Sequence, residues 1–363
     1  MPVVDGGQLQ ISRSEVSLNR GSASFEETLQ IIWFGSACHE LRLGDLSIVT
    51  DPFVTNGTII GSVKSDPERV GETLGKLKPP AVVLVNHSHS DHLVDAHEAM
   101  TSPSWKDRKV PLWGGATCKN ILAGWKDIDD RCHPVPGSGS TFIDWNSDRP
   151  DMPEGYKLKV TAYAGVHSPH IGCSTVLFDG KVDAPLPEPP KTVGDYKLGE
   201  VFNYLVEMSN ERTTFKVFLL GGPGQGSVLP GDVAPVDVVI LPSPGAEKIP
   251  GYPQDHLAKL RPRHIIINHF NNFFADDRKK DEADGRKKDD PETQASLLRL
   301  DLAKLQYLSR KIQESVAAKD GPNGNFECLH IPAISVMKDD GGARNVILID
   351  PSRPLTSASG TRD

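Results

Sequence analysis

The chain has 363 residues, 37% of them hydrophobic, and a formal net charge of −8, enough apolar content for one large domain or two modest ones. The mild acidity leaves no electrostatic footprint for nucleic acid or an anionic membrane, and no run nears the roughly 20 apolar residues of a membrane span. The five cysteines (Cys38, Cys118, Cys132, Cys173, Cys328) are odd in number and include no CxxC pair, which excludes a disulfide framework and suits a reducing compartment. Met1-Pro-Val-Val-Asp-Gly-Gly lacks the basic-then-apolar layout of a secretory leader. A cytoplasmic protein is the expectation.

Residues 1–28 are polar and weakly patterned and read as an arm, packed on the surface or partly disordered. From Leu29 the pattern predicts short strands at 29–34, 39–43 and 46–50, the last closed by Asp51-Pro-Phe53. Asp66-Pro67 opens a helix reaching about Leu77, with Pro67 at its first position. Pro79-Pro80 ends it, and a buried strand, Val82 to Val85, follows. A helix is expected over 94–100, a strand over 109–113 and a helix over 116–125, then a Gly-, Ser- and Pro-rich loop at 134–150. Strands are expected at 156–164, 174–178, 202–208, 214–220 and 236–241, with a Pro-rich surface loop inside 180–200. Helix 253–260 leads to a further buried strand, His264 to His269. The mixed-charge stretch 275–290 reads as a solvated loop, with a lid as the alternative. Asp290-Pro291-Glu292 caps a helix to about Lys319 whose stripe of Leu298, Leu302, Leu305, Leu308, Ile312 and Val316 reads as core contact. Two strands, near 331–337 and 346–350, close a domain spanning 29–350, and 351–363 is a tail. Strands alternating with helices argue an α/β layered fold. No GxGxxG or Walker sequence follows any strand, so nothing supports nucleotide binding.

The chemistry concentrates after strand 82–85, in Asn86-His-Ser-His-Ser-Asp-His92. His87 and His89, two apart, project to one side of an extended segment. Asp91 and His92 follow where the chain must turn, and face the same hollow from another direction. Three imidazoles and a carboxylate in six residues, in a chain with twelve histidines, form a metal site suited to zinc and less specifically to iron or manganese. One loop cannot fill two metal positions, so further ligands should come from other strand ends. His167 and His269 each lie just beyond a strand. His170 competes with His167, and His167 is preferred because it falls directly off strand 156–164; His170 is placed in the second shell or pocket wall. Asp51, at a fixed turn before Pro52, reads either as a turn cap or as a carboxylate behind the metal ligands. His39, His97, His133, His256, His264 and His330 read as surface or structural residues, and Cys173 as a structural thiol rather than a soft ligand.

These motifs resemble those of the metallo-β-lactamase superfamily. Ile32-Trp-Phe-Gly-Ser-Ala with Ile48-Val-Thr-Asp-Pro-Phe is similar to its first motif, with Asp51 as the structural aspartate. His87, His89, Asp91 and His92 resemble the second, and His167 and His269 the third and fifth. Ile267-Asn-His-Phe-Asn-Asn-Phe-Phe274 resembles a branch of metallo-hydrolases with an aromatic after this histidine. The resemblance covers residues 29–275. It implies a four-layer αββα sandwich, with one metal on His87, His89 and His167 and another on Asp91, His92 and His269. It also implies hydrolysis by a metal-bound hydroxide that Asp91 would orient, passing its proton to the leaving group. One motif departs: in Phe218-Leu-Leu-Gly-Gly-Pro-Gly-Gln-Gly-Ser227, Gly222 stands where dinuclear members carry a bridging aspartate, which leaves one or two zinc ions per chain open. That stretch reads as a glycine-rich turn, or as backbone N–H groups aimed at an anionic substrate.

The expected substrate is a small-molecule ester, lactone or lactam. A phosphodiesterase would need cations at the pocket, for which Arg263 and Lys279 are the candidates. A non-catalytic metal-binding or interaction protein is the remaining alternative. His89 occupies the place where oxidoreductase members carry a glutamate, which disfavours di-iron redox chemistry.

Overall fold

The computed structural model describes residues 4–5, 8–9, 27–55, 61–172, 174–269, 302–317, 328–330 and 345–349. Strands β1 (Val4–Asp5) and β2 (Gln8–Leu9) pair with each other. The rest of the arm before residue 27, Cys173, Lys279, the 275–290 loop, the cap at 290–292, the strand expected at 331–337 and the tail lie outside the described residues.

The first half of the chain lays down β3 (Leu29–Gly35), β4 (Cys38–Leu43), β5 (Leu46–Thr50), α1 (Pro67–Glu72), β6 (Val82–Leu84), α2 (Ser90–Leu93), α3 (Ala96–Thr101), α4 (Pro103–Asp107), β7 (Leu112–Gly114), α5 (Ala116–Leu122) and β8 (Cys132–Pro134). The second half supplies β9 (Thr141–Trp145), β10 (Lys157–Ala164), β11 (Phe202–Ser209), β12 (Thr214–Leu219), β13 (Val238–Pro242), α6 (Gln254–Leu260), β14 (His264–Asn268), α7 (Leu302–Ala317), β15 (Cys328–His330) and β16 (Asn345–Ile349). They form two seven-stranded sheets, ordered β16-β3-β4-β5-β6-β7-β8 and β15-β14-β13-β12-β11-β10-β9.

The period of two in each strand builds the layers. Ile48, Val82 and Leu84 from the first sheet meet Val160, Tyr204, Val238, Ile240 and Ile266 from the second in one central core. Their neighbours in sequence point the other way. Val49, Val83 and Val85 pack under Leu93, Met100, Trp105 and Ile121 of the first helical layer. Val239, Leu241, Ile265 and Ile267 pack under Leu257, Leu260, Leu305, Leu308 and Ile312 of the second. The result is the αββα sandwich. The three α7 residues are fully buried, each stabilising by about 1.5–3 kcal/mol on transfer grounds, so the stripe is core contact where it is described.

Local rules hold at α1, where the Asp66 side chain accepts from the Arg69 N–H at 3.1 Å and Pro67 starts the helix. They fail elsewhere. The helix expected over 94–100 is α3, at 96–101, while α2, α4 and β8 lie outside the expected elements. Residues 134–150 are not all loop, because β9 pairs with β10. Residues 174–178 form no strand; a single bridge, Ile171 to Thr175, makes a tight turn there.

Candidate metal centre

The site lies where the ends of β6, β10 and β14 meet across the two sheets. Asn86, just past β6, holds the sheets together: its backbone carbonyl accepts from Phe202 N–H and its Nδ2 donates to the Phe202 carbonyl, both at 2.8 Å. The Tyr204 hydroxyl donates to the Val85 carbonyl at 2.7 Å, and Ser88 N–H donates to the Leu198 carbonyl. His87 and His89 are thereby fixed on an extended segment, and α2 begins at once, turning Asp91 and His92 back toward them. His269 follows β14 with a φ of 58°, a left-handed conformation that costs a non-glycine residue about 1–2 kcal/mol. Its N–H donates to the Ser36 carbonyl and its carbonyl accepts from Ser243 Oγ, both at 3.0 Å.

Two adjoining sets of donors result. One atom each from His87, His89 and His167 lie within 4.8 Å of one another, and so do one each from Asp91, His92 and His269. The His87 and His92 rings touch, with centroids 3.9 Å apart. His269 Nε2 lies 3.1 Å from Asp91 Oδ2 and 3.2 Å from His92 Nε2. His87 is almost wholly buried, and neither of its ring nitrogens has a hydrogen-bond partner; nor has His89 Nε2. A buried polar atom left so costs about 1–3 kcal/mol. A cation among these lone pairs removes that cost, so the residues fit a metal ion.

The tautomers follow from the outer contacts. His167 Nδ1 donates to the Ser168 carbonyl at 2.6 Å, which leaves Nε2 as a lone pair. His89 donates to the Leu177 backbone, which leaves its Nε2 bare. His92 Nδ1 lies 3.2 Å from Asp51 Oδ1, itself accepting from Asn86 N–H at 2.7 Å. Asp51 is fully buried at a φ of 39°, so it is both the turn residue and the carboxylate behind a histidine. His170 differs: its Nδ1 accepts from Leu177 N–H at 3.0 Å, so its proton sits on Nε2. This favours His167 over His170 as the residue offering a lone pair.

Electrostatics agree with neutral, ligating imidazoles at His87, His89 and His167, whereas at His92 burial is outweighed by Asp51 and Asp91, which raise it. Burial, then the neighbouring imidazoles, pushes His87 and His167 well down. Burial lowers His89 to about 4. Burial works against ionisation of Asp91, but His92 and His269 outweigh it and hold its carboxyl well below the usual range.

Other expectations are corrected. The glycine-rich stretch does not turn its amides toward a substrate: Gly221 and Gly222 N–H both donate to Asn203 Oδ1, and Gly224 N–H to the Val166 carbonyl. A Cβ on Gly222 would lie 2.5 Å from the Val166 carbonyl oxygen. The glycines exist because the His167 loop rests directly on them. Asp237, downstream of this stretch, accepts from Lys216 N–H and pairs with Arg263 at 3.7 Å, just before β13 and β14. Arg263 is therefore not a pocket cation. A cation found beside the site is Lys248, whose Nζ donates to the His170 carbonyl at 2.6 Å; nothing in the Gly245-Ala-Glu-Lys248 sequence signals it. His97 pairs with Asp127 and stacks on Trp125, and His256 and His264 are buried elsewhere.

The family model of the beta-lactamase superfamily domain matches residues 30–267. The chain belongs to the metallo-β-lactamase superfamily. Within the superfamily it is an enzyme of the metallo-hydrolase class, and it is 27% identical over 250 residues to a metal-dependent hydrolase of Cupriavidus metallidurans, covering 66% of this chain and 72% of that one. A metal-dependent hydrolase of Thermoplasma acidophilum is 41% identical over 70 residues, covering 19% and 26% of the two chains. Among solved structures, a metallo hydrolase of the hyperthermophilic archaeon Ignicoccus hospitalis is 15% identical with a TM-score of 0.45, covering 88% of this chain and 98% of that one. No described helix of this superfamily member is long and apolar enough to cross a membrane.

Proposed function

We propose that the chain is a zinc-dependent hydrolase of a small-molecule ester, lactone or lactam. His87, His89 and His167 would hold one ion, and Asp91, His92 and His269 a second. What carries the reading is the pair of adjoining donor sets with buried, partnerless nitrogens on His87 and His89. Five imidazoles and one carboxylate suit zinc first, and iron or manganese after it.

A bound metal supplies a water of near-neutral pKa and polarises the attacked carbonyl oxygen. The chain's own residues do the rest. Asp91, the one carboxylate of the six, would orient the attacking water and pass its proton to the leaving group. Asp51 holds His92 in register, and the Ser168 and Leu177 carbonyls hold His167 and His89. Lys248 adds positive charge beside the site, which keeps a phosphodiester substrate as the second reading.

Metal analysis of protein purified without added metal, with and without the His87→Ala change, tests the centre. The expected result is up to two zinc ions in the natural protein and a loss of metal in the variant. Turnover of p-nitrophenyl acetate, γ-butyrolactone, nitrocefin and bis-p-nitrophenyl phosphate then sorts the substrate class. Protein that takes up no metal even when zinc is supplied would sink the mechanism and leave an interaction protein. Metal without turnover of any of the four substrates would leave a non-catalytic metal-binding protein.

A further inference from the structure

His170 is built as carefully as the donor histidines, yet with the opposite polarity. Its N–H donates to the Thr175 carbonyl at 2.8 Å, its carbonyl accepts from Lys248 Nζ at 2.6 Å, and its ring nitrogen Nδ1 accepts from Leu177 N–H at 3.0 Å. The turn from Ile171 to Thr175 closes on itself in both directions. Backbone, carbonyl and ring are thus all pinned. The ring stacks on His167 at 4.7 Å between centroids and lies 5.6 Å from His89, while the residue itself is exposed. Leu177 treats the two histidines differently: its backbone takes a proton from His89 and gives one to His170. A neutral imidazole has one N–H, and in His170 it is on Nε2. That nitrogen has no lone pair for a metal, but it is a hydrogen-bond donor on a pinned ring beside His167 and His89.

We propose that His170 is a catalytic donor whose Nε2–H binds the oxyanion formed when a carbonyl is attacked at that set, an assignment that rests on the hydrolase reading above. In that step the water oxygen bonds to the carbonyl carbon as the water's proton passes to Asp91, and the carbonyl π pair moves onto oxygen. The negative charge settles there, and His170 stays neutral and keeps its proton. A donor held in place beside the site before charge develops costs no reorganisation during the reaction.

The test uses the full-length, zinc-loaded protein and methylphosphonate, a tetrahedral oxyanion that needs no turnover. Long-range proton–nitrogen NMR should show His170 in the Nε2–H form. His170→Phe, at an exposed position, should keep its zinc and weaken methylphosphonate binding by about ten- to a hundredfold, and His170→Gln should restore part of it. Loss of zinc in His170→Phe would make His170 a ligand instead. Unchanged methylphosphonate affinity, or an Nδ1–H form, would overturn the proposal. Wild-type protein that binds zinc and methylphosphonate but hydrolyses no test substrate would overturn the hydrolase reading while the comparison of variants still decides the donor. Wild-type protein that takes up no zinc would remove both.

Discussion

At the scale of single residues, the centre is a matter of which nitrogen carries a proton. The histidines themselves were legible in the sequence, because His87 and His269 follow short apolar runs that read as buried strands and His167 follows an alternating one. Asp51 was legible as a turn residue before proline. The groups that set the tautomers were not: the Ser168 and Leu177 carbonyls are backbone atoms, and every residue has one. Asp51 is the side-chain member of this outer set, 3.2 Å from His92 Nδ1. Asp51→Asn keeps its shape and its hydrogen bond from Asn86, but removes the charge that draws the His92 proton to Nδ1. The expected result is zinc affinity lowered about 10–100-fold with the fold retained, read by competition with a chromophoric chelator. An affinity equal to that of the natural protein would leave Asp51 as a turn residue only.

At the scale of elements, sequence reading succeeded where one face of a strand is strictly apolar and failed where it is not. Strands β6, β13 and β14 are buried along their whole length, and their apolar runs announce them. Strand β9 buries only Ile143 and lies beside turn-forming neighbours, and its pairing with β10 decides its conformation. The glycine-rich stretch after β12 was visible as a departure from the family pattern, but its reason is steric and long-range. Val166 N–H donates to Ser227 Oγ, which in turn donates to the Gly222 carbonyl, so the His167 loop and this stretch form one unit. Gly222→Ala must push Val166 aside and with it His167. It should reduce metal content and lower stability by about 1–3 kcal/mol, the range for overpacking, as measured by metal analysis and denaturant unfolding. Gly222→Asp carries the same Cβ and should lose metal as well. If it gained metal instead, the carboxylate would be reaching the ions despite the crowding.

At the scale of the whole molecule, acid is the condition to which the fold should be most sensitive. Burial holds His256 and His264, both outside the metal centre, down at about 4, against about 6.5 in an unfolded chain. Between those values the unfolded chain binds more protons, so stability rises with pH there. It is fully present above about 6.5 and is lost as pH falls through 4, by up to about 3 kcal/mol per histidine. Denaturant midpoints at pH 7 and pH 5 measure the loss. His256→Phe, which keeps the edge-on contact with Tyr252, should flatten the profile, and an unchanged slope would remove His256 from the account.

The last strands of the chain also bear on how the protein is made. Strand β16 pairs with β3, and β15 with β14, so one of the two outermost positions of each sheet is filled from the C-terminal part. While the ribosome is still adding residues, β3 has β4 on one side and nothing from the sheet on the other until residue 345 has emerged. An unpaired strand edge is a template for other chains, and contacts so distant in sequence form late. Nascent chains stalled before residue 345 should therefore depend on chaperones, although every residue of the proposed metal centre has already been synthesised.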